Sequence, residues 1–156
     1  MAMKSSSDRL ITSFVGINLI KEFESFRGVA YLDPVGIPTI GWGTTRIAGY
    51  AVTLGMTINE AVAELLLKGD LQKIEDRINQ LILPHPKQNE FDALVSFEYN
   101  TGGLISSTLL KVILAGGTVT EDLFTRWNKA TIHGVITPLE GLTRRRKMEF
   151  ALYVKN

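Results

Sequence analysis

The sequence predicts an α+β fold, mainly helical, with a small β-containing lobe near its N-terminus and a long connecting helix. Three observations lead there. Residues 28–55 are rich in Gly, Thr, Ile, Val and Tyr and include Pro34 and Pro38, a composition of short strands and turns. From Thr57 onward, apolar residues recur at helical spacing. The 156 residues suffice for one domain that buries roughly two thirds of its surface without disulfides or a metal.

Taken in order, residues 1–13 read as a disordered leader and 14–156 as a single domain. Val15 to Phe26 reads as a first helix. The small lobe covers about 28–56 and the linking helix about 57–82. Thr57 and Glu60 form a capping-box pattern at that helix's start. Ile58, Ala61, Val62, Leu65, Leu66, Ile74, Ile78, Leu81 and Ile82 mark its apolar stripe, and Pro84 and Pro86 end it. A helical lobe occupies about 87–154. One helix runs from Gln88 to Asn100, with Phe91, Leu94, Val95 and Phe97 inward and Gly102 and Gly103 as its stop. A short one follows Ser107, and a last one covers Leu139 to Val154.

Composition excludes several classes of function. The chain has no cysteine, hence no disulfide scaffold, cysteine nucleophile or thiolate metal site. Leu10 to Ile20 is too short and too polar to span a bilayer, and no secretory cleavage site follows it. His85 and His133 lack metal-ligand spacing, so neither a metal nor an organic cofactor is implied. GIPTIGWG lacks the Lys and following helix of a phosphate-binding loop. The net charge of +1 conceals an asymmetry: residues 126–156 hold 7 basic and 2 acidic side chains, including the run Arg144 to Lys147. That tail is either a solvated helix face or an attractor for an anionic polymer.

The informative stretch is LIKEFESFRGVAYLDPVGIPTIGWGTT, Leu19 to Thr45. Glu24 ends a helix, Asp33 sits before Pro34 in a turn, and Thr39 enters the Gly-rich run. Two carboxylates on separate elements are what glycosidic hydrolysis needs. One is protonated, to donate to the leaving oxygen, and one ionised, to act on the other face of the sugar. Apolar neighbours such as Phe23, Phe26 and Tyr31 favour the protonated form of the acid. Glu22 lies about 200° from Glu24 around a helix, so only one of them can serve, and pattern alone does not choose. Taken singly, each acid also fits a plainer role, Asp33 as a turn former and Glu24 as a solvated side chain.

At these residues the chain resembles the phage-type lysozymes, the glycoside hydrolase family of the T-even phage lysozyme and the lambdoid endolysins. LIKEFES resembles the family's LIKxxEG, and AYLDPVGIPTIGWG resembles AYxDxxGxxTIGYG. Glu24, Asp33 and Thr39 fall on its Glu–Asp–Thr spacing. DALVSFEYNTGG (Asp92 to Gly103) resembles ALVSFxFNxG, and GLTRRRKME (Gly141 to Glu149) resembles GLxxRRxxE. The match runs from Gly16 to Tyr153. Ser25 departs from the family's usual Gly, and Trp42 from its Tyr.

The resemblance implies a bilobal lysozyme-like fold and selects Glu24 over Glu22. It implies an endolysin-type muramidase that hydrolyses the β-1,4 bond between N-acetylmuramic acid and N-acetylglucosamine in peptidoglycan, for host cell lysis. Glu24 would be the general acid, with Asp33 and Thr39 positioning a water. Inversion needs roughly 6.5–9.5 Å between the carboxylates. Tyr99 and Asn100 match a Phe-Asn pair and would contact sugar. Trp42 and Trp127 could stack on sugars, although buried packing is the commoner case for Trp. Of Arg145 and Arg146, one would pair with an acid behind the site and the other be surface charge. The implied setting is a monomer that binds peptidoglycan but no nucleic acid, does not insert stably in a membrane, and stays in the host cytoplasm until release to the periplasm. Two alternatives stand beside it: a lytic transglycosylase on the same bond, and a basic nucleic-acid- or wall-binding module without catalysis.

Overall fold

The computed structural model describes residues 9–156. The first eight positions of the expected leader lie outside the described residues. The described residues are mainly helical with three two-stranded antiparallel ladders, which is the α+β class expected. It divides into two compact units, residues 17–73 on one hand and 9–16 with 74–156 on the other.

The unit of residues 17–73 carries most of α1 (Phe14–Glu24) and the first part of α2 (Glu60–Leu81). Between them, β1 (Arg27–Leu32) pairs with β2 (Pro38–Gly41), placing Tyr31 opposite Thr39, and β3 (Arg46–Ile47) pairs with β4 (Tyr50–Ala51). Ala30, Ile40 and Val52 form the core of this region, with Ile47 and Ile58 packed against it. Thr57 does not cap α2. It bridges to Val29, and Asn59 is the cap, its Oδ1 accepting the Val62 N–H at 2.9 Å. The inward face of α2 also differs from the expected stripe: Ala63, Leu67 and Leu71 are buried, whereas Val62 and Leu65 are exposed. Three leucines in a row, Leu65 to Leu67, fit more than one helical face; the unbroken four-residue spacing 63–67–71 identifies the right one.

The other unit is built around α3 (Gln88–Thr101), in which every residue from Phe91 to Glu98 is buried. α4 (Thr108–Leu114), α5 (Glu121–Thr125) and α6 (Glu140–Tyr153) complete its helices. Phe97 meets Phe124 and Trp127 edge-on, with centroids 5.7 and 5.5 Å apart, and Phe124 continues the contacts to Phe150 and Tyr153. Gly103 is required there, because a Cβ would lie 2.3 Å from the Trp127 ring. A hairpin of β5 (Lys129–Ile132) and β6 (Val135–Pro138) was not among the expected elements. Its signal is nevertheless present: KATI and VITP flank a two-residue His133-Gly134 turn, both residues at positive φ (48° and 78°).

Residues 10–13 of the expected leader are hydrogen-bonded to side chains of α2 and α3. The Leu10 N–H donates to Asn79 Oδ1 at 3.0 Å, and the Thr12 N–H and hydroxyl both donate to Glu75 Oε2. The Ser13 N–H and hydroxyl donate to the Asp92 carboxylate.

The basic run also departs from expectation. Arg145 and Arg146 are 3% and 0% exposed, so neither is surface charge. Arg146 meets Glu149 in a fork, Nε at 2.6 Å from Oε1 and Nη2 at 3.1 Å from Oε2. Arg145 Nε lies 3.5 Å from Glu149 Oε2, to which the Ser96 hydroxyl donates at 2.5 Å. Burial pushes the Glu149 carboxyl upward, against the opposing pull of Arg146, Arg145 and Ser96. Only Arg144 and Lys147 of the run face solvent. Among the described residues, no helix is long and apolar enough to cross a membrane.

Candidate active site

Glu24, Asp33, Thr39 and Trp42 all fall within the unit of residues 17–73. On α1, Ile17 and Ile20 are buried, and steps of three and four residues carry that face on to Glu24, which is half-buried. Glu22 lies on the exposed side. Local structure therefore separates two acids that sequence pattern leaves equivalent. Ser25 ends the helix at φ 53°, in the left-handed region, with its N–H donating to Lys21 O at 3.2 Å. This is a conformation that suits glycine, which accounts for glycine at this position in the family pattern.

Asp33 is set by the turn Asp-Pro-Val-Gly. The Gly36 N–H donates to Asp33 O at 2.9 Å, and Gly36 takes φ 84°. The side chain folds back on the same turn, with Oδ1 accepting the N–H groups of Val35 (2.9 Å) and Ile37 (2.8 Å). Thr39, 4% exposed, is the second residue of β2 and donates its hydroxyl to Ile37 O at 2.9 Å. That same carbonyl accepts the Asp33 N–H at 3.0 Å. Ile37 thus fastens both residues, Asp33 through its N–H and its carbonyl, and Thr39 through its carbonyl. Sequence reasoning did not single out Ile37, since its contribution is main-chain and independent of its side chain. The only available signal was the D-P-x-G turn that closes on it.

Beyond Thr39 the chain turns back on itself, with Ile40 and Thr44 exchanging both main-chain hydrogen bonds at 2.9 Å. Gly41 and Gly43 adopt φ of 68° and 95° in between. Trp42, at the head of this turn, is 6% exposed; Phe26 packs on it at 5.2 Å and the Lys21 ammonium sits 4.4 Å from its ring centroid. Lys21 also bonds Glu64 at 2.5 Å and holds that carboxyl below its ordinary value. Of the expected apolar neighbours of the acid, Phe26 is committed to Trp42, and the Tyr31 ring lies under the Arg27 guanidinium at 4.3 Å.

In the other unit, Tyr99 is half-buried and Asn100 exposed at the C-terminal end of α3. Glu98 anchors that end, accepting the Leu104 N–H at 2.8 Å and pairing with Arg77 at 3.2 Å. Trp127 is half-buried and packed on Phe97. Among the described residues there is no group of three or more His, Cys, Asp or Glu that could hold a metal ion. Chemically, this region offers a carboxyl group on a helix end and, on a separate hairpin, a carboxylate and a hydroxyl fixed relative to each other.

Residues 21–149 match the model of the phage lysozyme family. Among curated proteins, the endolysin of Salmonella phage P22 is 39% identical over 143 residues, covering 89% of this chain and 94% of that protein. Among solved structures, an endolysin from Escherichia coli O157:H7 phage FAHEc1 superposes with a TM-score of 0.87 at 40% identity, over 93% of this chain and 94% of the other. The muramidase domain of SpmX from Asticaccaulis excentricus superposes with a TM-score of 0.83 at 32% identity, over 95% of this chain and all of that one.

Proposed function

The chain belongs to the phage lysozyme family and is a glycoside hydrolase, and from that premise we propose that it is a muramidase acting by inversion on bacterial peptidoglycan. The bond cleaved is the β-1,4 link between N-acetylmuramic acid and N-acetylglucosamine. Glu24 gives its proton to the glycosidic oxygen as the bond to the anomeric carbon breaks. A water attacks that carbon from the opposite face and passes its proton to Asp33. Thr39 accepts a hydrogen bond from the same water.

The observation that carries this reading is the Ile37 peptide. It occupies Asp33 Oδ1, so Oδ2 is the oxygen for the water, and it takes the Thr39 hydroxyl proton, so the Thr39 oxygen presents lone pairs. Two acceptors held relative to each other are suited to orienting one nucleophilic water. Tyr99 and Asn100 contact sugar in this reading. Trp42, being buried, contributes by supporting the turn that follows Thr39. The protein works as a monomer on the cell wall, from the periplasmic side, after residence in the host cytoplasm.

The experiment is clearing of purified peptidoglycan by the wild type beside Glu24→Gln. The expected result is clearing by the wild type and a loss of about 10²–10⁴-fold in the variant, the usual worth of a general acid. Equal clearing by both removes Glu24 from its role. Salt-sensitive retention on DNA with no clearing supports instead a basic binding module.

A further inference from the structure

Asp70 is a half-buried carboxylate on α2 that the hydrolytic scheme leaves unused, although it grips the segment following Thr39. Its Oδ2 accepts the Thr44 hydroxyl at 2.6 Å, and Thr44 is 1% exposed. Thr44 closes the turn by its two main-chain bonds to Ile40, the residue next to Thr39. Between Ile40 and Thr44 stand two glycines at positive φ around Trp42, a backbone with little intrinsic preference for one shape. The same helix touches the turn one further time: a Cβ on Gly41 would lie 3.2 Å from Ala63 Cβ. Ala63 and Asp70 are seven residues apart, two turns along one face of α2. The turn therefore rests on α2 at Gly41 and is hydrogen-bonded to it at Thr44.

Burial pushes the Asp70 carboxyl above its ordinary 3.8, and only the Thr44 hydroxyl opposes that among the causes that shift it. A neutral acceptor would make the same bond without that cost. A half-buried carboxylate next to a site is a reason to look for a role there.

We propose that Asp70 is a positioning residue for the hydrolysis: through Thr44 it holds the 40–44 turn against α2 and so keeps the Thr39 hydroxyl where the water is bound. This rests on the muramidase reading above. Asp70 touches neither substrate nor water; releasing Thr44 lets Ile40, and Thr39 with it, shift. A displacement of about 1 Å at such a group is enough for a loss of about 10²-fold.

The test is a double-mutant cycle between Asp70→Ala and Thr44→Val, assayed on soluble murein oligosaccharide where circular dichroism shows every variant folded. Each single variant is expected to lower kcat about 10- to 100-fold with KM changed less than about threefold, and the pair to be no worse than either alone. Asp70→Asn and Thr44→Ser, which keep the bond, restore most of kcat. Multiplying losses, a change confined to KM, or no change in kcat would overturn the proposal. A second readout does not depend on turnover: the methyl resonances of Thr39 and Ile40 in 13C-labelled protein should shift or broaden in Asp70→Ala and return in Asp70→Asn. Unmoved methyl signals overturn the proposal even if activity falls. If the wild type leaves murein uncleaved, the muramidase reading fails, and the methyl spectrum still decides whether Asp70 orders the turn.

Discussion

The 33–39 turn and the 145–149 stretch of α6 both concentrate polar side chains, but they tie them down over very different lengths of chain. In the turn, the bonds of Asp33 and Thr39 reach two to four residues, to Val35 and Ile37. On α6, Glu149 is joined to Ser96, 53 residues away, and the group is closed off from water. The first arrangement fixes its side chains by local main-chain bonds alone. The second buries its charged groups in the interior, so the basic run that resembles an electrostatic lure is partly architecture. Substitutions in the turn should separate activity from folding, and substitutions in the cluster should not.

The largest effect is expected at Glu149. Glu149→Gln removes the carboxylate that Arg145 and Arg146 approach in the interior and should cost about 3–5 kcal/mol in urea unfolding. A loss under about 1 kcal/mol would mean that the arginines are not held in the interior. Asp33→Asn sharpens the contrast. The amide oxygen still accepts from Val35 and Ile37, so unfolding free energy should stay within about 1 kcal/mol of wild type. Clearing should nevertheless fall about 10²-fold or more, because an amide cannot take the water's proton. A stability loss as large as that at Glu149 would erase the distinction between the two regions.

Smaller changes refine it. Ser25→Gly relieves a left-handed residue at the end of α1 and should raise stability by about 0.5–1 kcal/mol with clearing unchanged. For Asp70 the sign follows from proton binding. Its folded-state value is raised above 3.8, so between 3.8 and that raised value the folded chain binds more protons than the unfolded chain. The Asp70 contribution to stability is thus most favourable at low pH and falls as pH rises through that window. Asp70→Asn should remove this component from a urea-midpoint profile taken across the acid range; an unaltered slope would contradict it.

What could be read from the sequence follows the same division. Asp33 and its turn were legible because Asp, Pro and Gly stand at the positions that a local turn requires. Glu24 was legible as an acid at a helix end, and the family resemblance chose it over Glu22; that Glu24 shares the face of Ile17 and Ile20 could not be read without the fold. Interactions that span tens of residues left no local trace: Glu149 with Ser96, Asp70 with Thr44, and the strapping of residues 9–13 to Glu75, Asn79 and Asp92. The Asn59 cap and the β5–β6 hairpin are different, since their signals are local. Thr57 offered a competing cap three residues before Glu60, and the strand-forming run KATIHGVITP lies in a stretch otherwise dominated by helical signals.

The claim at the centre is that Asp33 and Thr39 direct a water onto the face of the sugar opposite Glu24. Proton NMR of soluble murein fragments, recorded in the first minutes of digestion before mutarotation, tests it directly. Inversion of a β-1,4 bond requires the new N-acetylmuramic acid reducing end to appear first as the α-anomer. A β-anomer appearing first, or a 1,6-anhydro end with no reducing end, would contradict it.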